Sequence, residues 1–160
     1  MALPERKING FLRWFMRAPI LLFHLRLGWL FFGHFLMVTT KGRRSGLPRY
    51  AVVEIIQREE PDGTCVVVSG WGTRSDWYRN ICQDPIVTVD IGARRFSARA
   101  EVIEKVQASK LLLDYGNRYP IIFEKMVKSL TGEQVKCTLE ECTRLVELAP
   151  LVRFIPEQAG

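Results

Sequence analysis

Apolar positions recur at helical spacing near the start of the chain, and the texture changes to that of strands after Gly33. Phe11, Trp14, Phe15, Ala18, Leu22 and Leu25 share one face of a 3.6-residue repeat, while Arg6, Lys7, Arg13 and Arg17 fall elsewhere. Pro19 is expected to kink or restart the helix, since its ring fixes φ and its nitrogen carries no hydrogen. The spacing predicts two short amphipathic helices over residues 5–32. "HFLMVTT" is then an apolar, β-branched run of strand type, and "YAVVEIIQR" is another. Asp62-Gly63 is a hairpin signal, after which "CVVVS" returns antiparallel. "WYRNICQD" reads as one or two helical turns, with Asp76 as the expected N-cap. "IVTVDI", Gly92-Ala93 and "RFSARAEVI" form a second hairpin. Helices broken near Tyr119-Pro120 occupy the stretch from Val106 to about Leu130. "TLEECTRLVEL" is a short amphipathic helix with Thr138 at its cap and Glu141 three residues on. "LVRFI" closes the sheet.

Short strands joined by hairpins, with helices at the ends and in one connection, predict an α+β domain around an antiparallel barrel or sheet. The 160 residues read as one domain, with a helical segment over 1–32 and a core over 33–160. The run over residues 20–38 is near the length of a membrane span, but Arg26, His24 and His34 interrupt it. A charge at mid-span costs about 2.5–3.5 kcal/mol on insertion scales. Packing over the domain's own sheet is the plainer expectation, with contact to anionic lipid at the membrane interface as the functional one. A secretory signal is not expected, because the run carries charge and lacks a small-residue cleavage site.

Composition narrows the partner. The net charge of +6 favours an anion, whether nucleic acid, a lipid headgroup or a phosphorylated small molecule. The four cysteines contain no CxxC pair, and both histidines are distant from them, so a metal site is not expected. Free thiols fit a cytoplasmic protein. The chain has no GxxxxGK[ST], GxGxxG or GxSxG, and its carboxylates are scattered.

Two stretches remain with chemistry to offer. "TTKGRRSGLPRY" sets Arg43, Arg44 and Ser45 between Gly42 and Gly46, so that side-chain and backbone donors can converge on one anion. A solvated basic hairpin loop would look the same. "SGWGTRSDWYRN" follows a strand directly. There Gly70 and Gly72 permit close approach of a flat ligand, Trp71, Trp77 and Tyr78 offer ring faces, and Ser69, Tyr78 and Asn80 offer hydrogen bonds. The bland reading has Trp77 and Tyr78 plugging a barrel end. Aromatics in a glycine-rich loop, not alternating along a strand, argue against a single-stranded nucleic acid platform.

"FLMVTTKGRRSGLPRYAVVEI" and "VVVSGWGTRSDWYRNICQDPIVTVDIGARRFSARAEVI" closely resemble the deazaflavin-dependent nitroreductase family. The motif pair TTxGRxSGxPR and WYxNxxxxPxVxV carries the resemblance, which extends over about residues 18–125, with a weaker match in "LVRFIPE". It implies a split β-barrel like that of the pyridoxamine-phosphate-oxidase-type, FMN-binding flavoproteins. It also implies coenzyme F420, a deazaflavin with a phosphodiester and an oligoglutamate tail, as donor to a quinone, nitro compound or similar acceptor. Arg43, Arg44 and Ser45 would hold the phosphate, with Arg49 beside them and Lys41 attracting the tail. Ser69, Gly70, Trp71 and Gly72 would line the ring, close to Trp77 and Tyr78, and Tyr78 or Ser69 would supply a proton, with solvent as the alternative. Gly70-Trp71 stands where some nitroreductases carry lysine. An FMN enzyme on the same barrel, and a non-catalytic cofactor or lipid binder, are the rival readings. The expected setting is the cytoplasm, at or near the membrane's inner face, as a monomer or homodimer.

Overall fold

The computed structural model describes residues 10–157, with side chains from Arg17 onward. The apolar positions 11, 14 and 15 and the basic positions 6, 7 and 13 therefore lie outside the side chains described. Helix α1 (Gly10–His24) runs through Pro19, which removes one backbone donor without ending it. The second helix expected before residue 32 is only a four-residue 3-10 turn, Gly28–Phe31. It lies between Arg26 and Phe32, both in left-handed backbone conformations with φ of 57° and 50°. The chain reverses too tightly there for an α-helix. Gly28 permits that reversal, since a Cβ would meet the Phe23 ring at 2.6 Å.

The strands are β1 (Phe35–Lys41), β2 (Pro48–Glu59), β3 (Thr64–Val68), β4 (Ile86–Ile91), β5 (Arg94–Val102) and β6 (Leu151–Pro156). They close an antiparallel barrel in the order β1-β2-β3-β6-β5-β4, with β4 returning to β1. Between them lie α2 (Asp76–Gln83), α3 (Lys105–Arg118), α4 (Pro120–Thr131) and α5 (Leu139–Leu148). This is the α+β barrel that the strand texture predicts. The Asp62-Gly63 hairpin forms with Gly63 at φ 80° and the Asp62 carboxylate accepting from the Thr64 N–H at 3.0 Å. Thr138 caps α5 by accepting from the Glu141 N–H at 3.3 Å.

Two apolar clusters divide the strand faces. Leu36, Val38, Val53, Ile55, Cys65, Val67, Val89, Val152 and Phe154 point into the barrel. Ile56, Val66, Val68 and Leu151 point outward, beneath α3, α4 and α5. β3 is consequently buried along its whole length and reads as an unbroken apolar run, the pattern of a strand covered on both faces. Helix α2 stoppers one end of the barrel. Trp77 and Ile81, one turn apart, join the interior cluster, with the Trp77 ring 6.1 Å from that of Phe154. Anchored by that pair, α2 turns Asp76 and Asn80 toward the end of β1, where the basic loop begins.

Candidate cofactor site

The basic loop is closed by its own backbone. The Gly42 N–H donates to the Leu47 carbonyl at 2.8 Å, and the Gly46 N–H to the Gly42 carbonyl at 2.7 Å. Gly46 has φ of 68°, which a side chain would strain, and a Cβ on Gly42 would meet the Ser45 hydroxyl at 2.8 Å. Ser45 turns its hydroxyl back on the loop, accepting from the Leu47 N–H at 3.3 Å and from Arg49 Nη2 at 3.5 Å. Lys41, Arg44 and Arg49 are exposed, and among the described residues Lys41 and Arg44 have no hydrogen-bonding or ionic partner.

Arg43 behaves differently. Its backbone N–H and its Nη1 both donate to Asn80 Oδ1, at 3.2 and 3.1 Å, and its Nη2 meets Asp76 Oδ1 at 3.0 Å. The Asp76 carboxylate is open to water, so that ion pair adds little alone. Asn80 is buried, and its Nδ2 also donates to the hydroxyl of buried Thr40 at 2.9 Å. One amide thus joins β1, the loop and α2. Asn80 and Asp76 were read in the sequence only as a generic donor and an N-cap. Their i,i+4 spacing, which puts both on one helix face, was the available signal. The N-cap itself is Ser75, without a side-chain cap bond, and Asp76 sits in the first turn.

An open cleft of about 250 Å³ lies against this loop, lined by Lys41, Gly42, Arg43, Gly46, Gln83 and Asp84. Cofactor and drug pockets run from about 300 Å³ upward, so this cleft has room for a phosphate and holds no more than part of a larger cofactor. Asp84 brings a negative charge, but its Oδ1 is turned onto the Ile86 N–H at 3.2 Å.

The second stretch faces the other way. Ser69 is fully buried, its N–H donates to the Pro150 carbonyl at 2.9 Å, and its hydroxyl donates to the Gly72 carbonyl at 2.7 Å. The Ser75 hydroxyl lies 2.9 Å from that of Ser69 and 3.1 Å from the same carbonyl. Two hydroxyl protons serve these contacts, so the hydroxyl of Ser69, expected as a proton donor and ring contact, ties the turn from within in this structure. Gly72, at φ 64°, is buried in the same knot, and Trp77 is 8% exposed inside the barrel. Gly70 and Trp71 remain on the surface, Trp71 with 42% of its area exposed. Tyr78 is half-buried, edge-on to Trp77 with ring centroids 6.2 Å apart. Burial, followed by the charge and hydrogen bond of Cys82, raises its phenol pKa.

The model of the F420H(2)-dependent quinone reductase family matches residues 23–125, which carry both loops. The chain belongs to that family. Solved structures agree on the fold. One described as a domain-swapped dimer is 19% identical at a TM-score of 0.51, over 76% of this chain and 79% of that one. An F420-H2 dependent reductase is 18% identical at a TM-score of 0.50, over 76% and 93%. A pyridoxamine 5'-phosphate oxidase-related, FMN-binding protein from Nostoc punctiforme is 15% identical at a TM-score of 0.52, over 88% and 79%. No protein of curated function matches the chain.

Coenzyme F420 is the cofactor that this family implies. The loop fits an anionic group: Lys41 and Arg44 offer unpartnered cations, and the cleft lined by Lys41 and Arg43 has room for a phosphate. The ring-lining stretch fits less fully, since only Gly70, Trp71 and part of Tyr78 present surface to a ligand.

Proposed function

We propose that the protein is a reductase that takes its electrons from reduced coenzyme F420 and passes them to a quinone. Lys41 and Arg44 would bind the cofactor's phosphodiester, with Arg49 and the Ser45 turn beside them, and Arg43 would border the same anion while Asn80 holds it in place. The observation that carries this reading is the contrast along the loop: Arg43, at the cleft, is fastened to α2, while Lys41 beside it and Arg44, outside the cleft lining, stand free. Guanidinium groups suit phosphate because they present a planar, permanently charged pair of donors. When bound, the reduced cofactor supplies a hydride to an electron-poor acceptor. Trp71 would wall the acceptor side of the ring, and Tyr78, held protonated by burial, would be the remaining side-chain source of a proton.

Fluorescence titration with coenzyme F420, with FMN as the competing arm, tests the cofactor. Saturable F420 binding, and oxidation of the reduced cofactor with menadione faster than with a nitroaromatic, is the expected result. Binding of FMN alone would overturn the reading in favour of a flavin enzyme.

We also infer a cytoplasmic protein that touches anionic lipid through α1 and the 3-10 turn. Leu21, Leu25, Trp29 and Phe32 are exposed there, Phe32 at 85%, beside Arg17 and Arg26. Among the described residues, no helix is long and apolar enough to cross a membrane. Liposome flotation tests this, with failure of the full chain to float on anionic vesicles as the contrary outcome. A homodimer is likewise proposed, supported by the similar domain-swapped dimer and open to measurement by sedimentation.

A further inference from the structure

Two thiols flank the capping turn at the start of α5. Cys137 immediately precedes the cap residue Thr138, and Cys142 is the fourth residue of the helix. These are the two positions of a hydrophobic staple, in which a residue before the cap packs on one in the first turns. Here both members are cysteines, and Cys137 packs against the buried cluster that contains Cys142. Cys142 is fully buried, and Cys137 is half-exposed, with its Sγ 3.7 Å from the Leu113 carbonyl.

The opposing helix leaves room for this pair. Gly116 occupies the interior of α3, where glycine weakens a helix by about 1 kcal/mol relative to alanine. A Cβ at that position would lie 2.3 Å from the Cys137 Sγ and 2.9 Å from the Phe123 ring. The chain thus keeps a poor helix former where the Cys137 sulfur comes closest to α3. Cys65 is buried within the barrel and Cys82 is exposed on α2, and neither has such a partner thiol.

We propose that Cys137 and Cys142 are a redox modification site, closing to a reversible disulfide when a low-molecular-weight disulfide reaches Cys137. The half-exposed Cys137 sulfur attacks one sulfur of the reagent, breaking its S–S bond and releasing one thiol. Cys142 then gives up its proton to water and attacks the Cys137 sulfur, releasing the second thiol. Two protein thiols are oxidised, and the reagent carries away the electron pair as two reduced thiols. Burial, with the neighbouring Cys137, pushes the Cys142 thiol up to about 12, so the second step is the slower one. The product would lock the start of α5 across its capping turn.

The test is oxidation of the full-length protein with oxidised glutathione, acid quenching, alkylation after unfolding, and mass mapping of the peptide containing residues 137–142. The expected product is that peptide with an internal bond, two hydrogens lighter and refractory to alkylation, reverting fully with a thiol reductant. Cys142→Ser should stop the reaction at a glutathione adduct on Cys137. Cys137→Ser should leave Cys142 unmodified in the folded protein. The proposal is overturned if Cys142 of the oxidised wild type alkylates freely, or if Cys137 retains glutathione with Cys142 present. Mapping of the wild type decides the matter even where a variant folds poorly.

Discussion

Two glycine-containing turns leave the barrel at the ends of β1 and β3, and they are sided oppositely. The turn at residues 42–46 is closed by backbone bonds, and Arg44 within it is left pointing away from the fold. The turn at residues 69–75 adds to its backbone bonds two serine hydroxyls on one carbonyl, and those two hydroxyls point inward. Similar composition therefore does opposite work. Where the backbone satisfies itself, side chains are left for a ligand. Where serine hydroxyls serve the backbone, those side chains are scaffold, and Trp71 is the aromatic ring of the turn that stays outside. The comparison holds even within one turn: Arg43 and Arg44 are adjacent, yet Arg43 is fastened by α2 and Arg44 is not.

The sharpest break of this comparison is Arg44→Ala. One hydrogen bond to a charged group contributes about 1.5–3 kcal/mol, so cofactor affinity should fall on the order of 10- to 150-fold. Thermal stability should stay unchanged, because Arg44 has no partner to lose. Arg44→Lys should recover only part of the affinity, since an ammonium cannot present the two-donor fork. Added salt should weaken wild-type binding more steeply than that of the variant, as expected for an exposed charge contact. Unaltered affinity in Arg44→Ala would make the turn a solvated hairpin.

Asn80→Ala should move stability and affinity together. It leaves the Thr40 hydroxyl and the Arg43 N–H without their buried partner, a loss of about 1–3 kcal/mol in unfolding free energy. Denaturant unfolding measures this, and cofactor titration should show a parallel loss as Arg43 is released. Asn80→Asp keeps the acceptor but loses the donor to Thr40, so it should fall between. A variant as stable as wild type would mean that Asn80 is no strut.

These contacts mark where the sequence stops being legible. The strands, the Asp62-Gly63 hairpin and the Thr138 cap are local, and β-branched runs or turn dipeptides announce them within a few residues. So is the clustering of cations in the basic loop. The fastening of Arg43 spans 33 residues to Asp76 and 37 to Asn80, and exists only because barrel closure brings β1 beside α2. No local pattern encodes that approach. The inward turn of the Ser69 hydroxyl was hidden for a related reason. A serine after a strand can face either way, and the carbonyl it serves is that of Gly72, whose left-handed φ was not fixed by the sequence. Trp77 was undecided between ring contact and plug because Trp77 and Ile81 have the same i,i+4 spacing on either face. Pro19 shows that a helix tolerates a missing donor where nothing else ends it.

On the outward side of the second turn, Trp71→Ala should lower kcat/KM for a quinone by about tenfold, equivalent to about 1.4 kcal/mol of transition-state stabilisation. Cofactor affinity should change by less than about twofold, since the proposed role of Trp71 is to wall the acceptor and not to hold the cofactor. Equal kinetics with several acceptors would show that Trp71 faces away from the chemistry. On the inward side, Ser69→Ala should cost about 1 kcal/mol of stability, the net worth of one ordinary hydrogen bond. It should leave kcat/KM within about twofold, since Ser75 still serves the same carbonyl. A large loss of turnover at unchanged stability would restore Ser69 as a proton donor.

The smallest expected effect concerns pH. Tyr78 lies in the first turn of α2, just beyond the second turn, and is half-buried. Burial, reinforced by Cys82, raises its phenol pKa, which favours the protonated form. An acid catalyst works while it holds its proton, so raising the pKa extends activity toward alkaline pH. Through the neutral range Tyr78 remains protonated, and the rate should be flat. A decline should begin only above the ordinary phenol value of about 10. Tyr78→Phe should remove that alkaline limb and lower kcat over the plateau, with solvent carrying the residual proton transfer. The measurement is kcat against pH for both proteins, at saturating cofactor and with folding checked at each pH. A limb that survives in Tyr78→Phe would assign the proton to solvent and leave Tyr78, like Ser69, on the scaffold side of the turn.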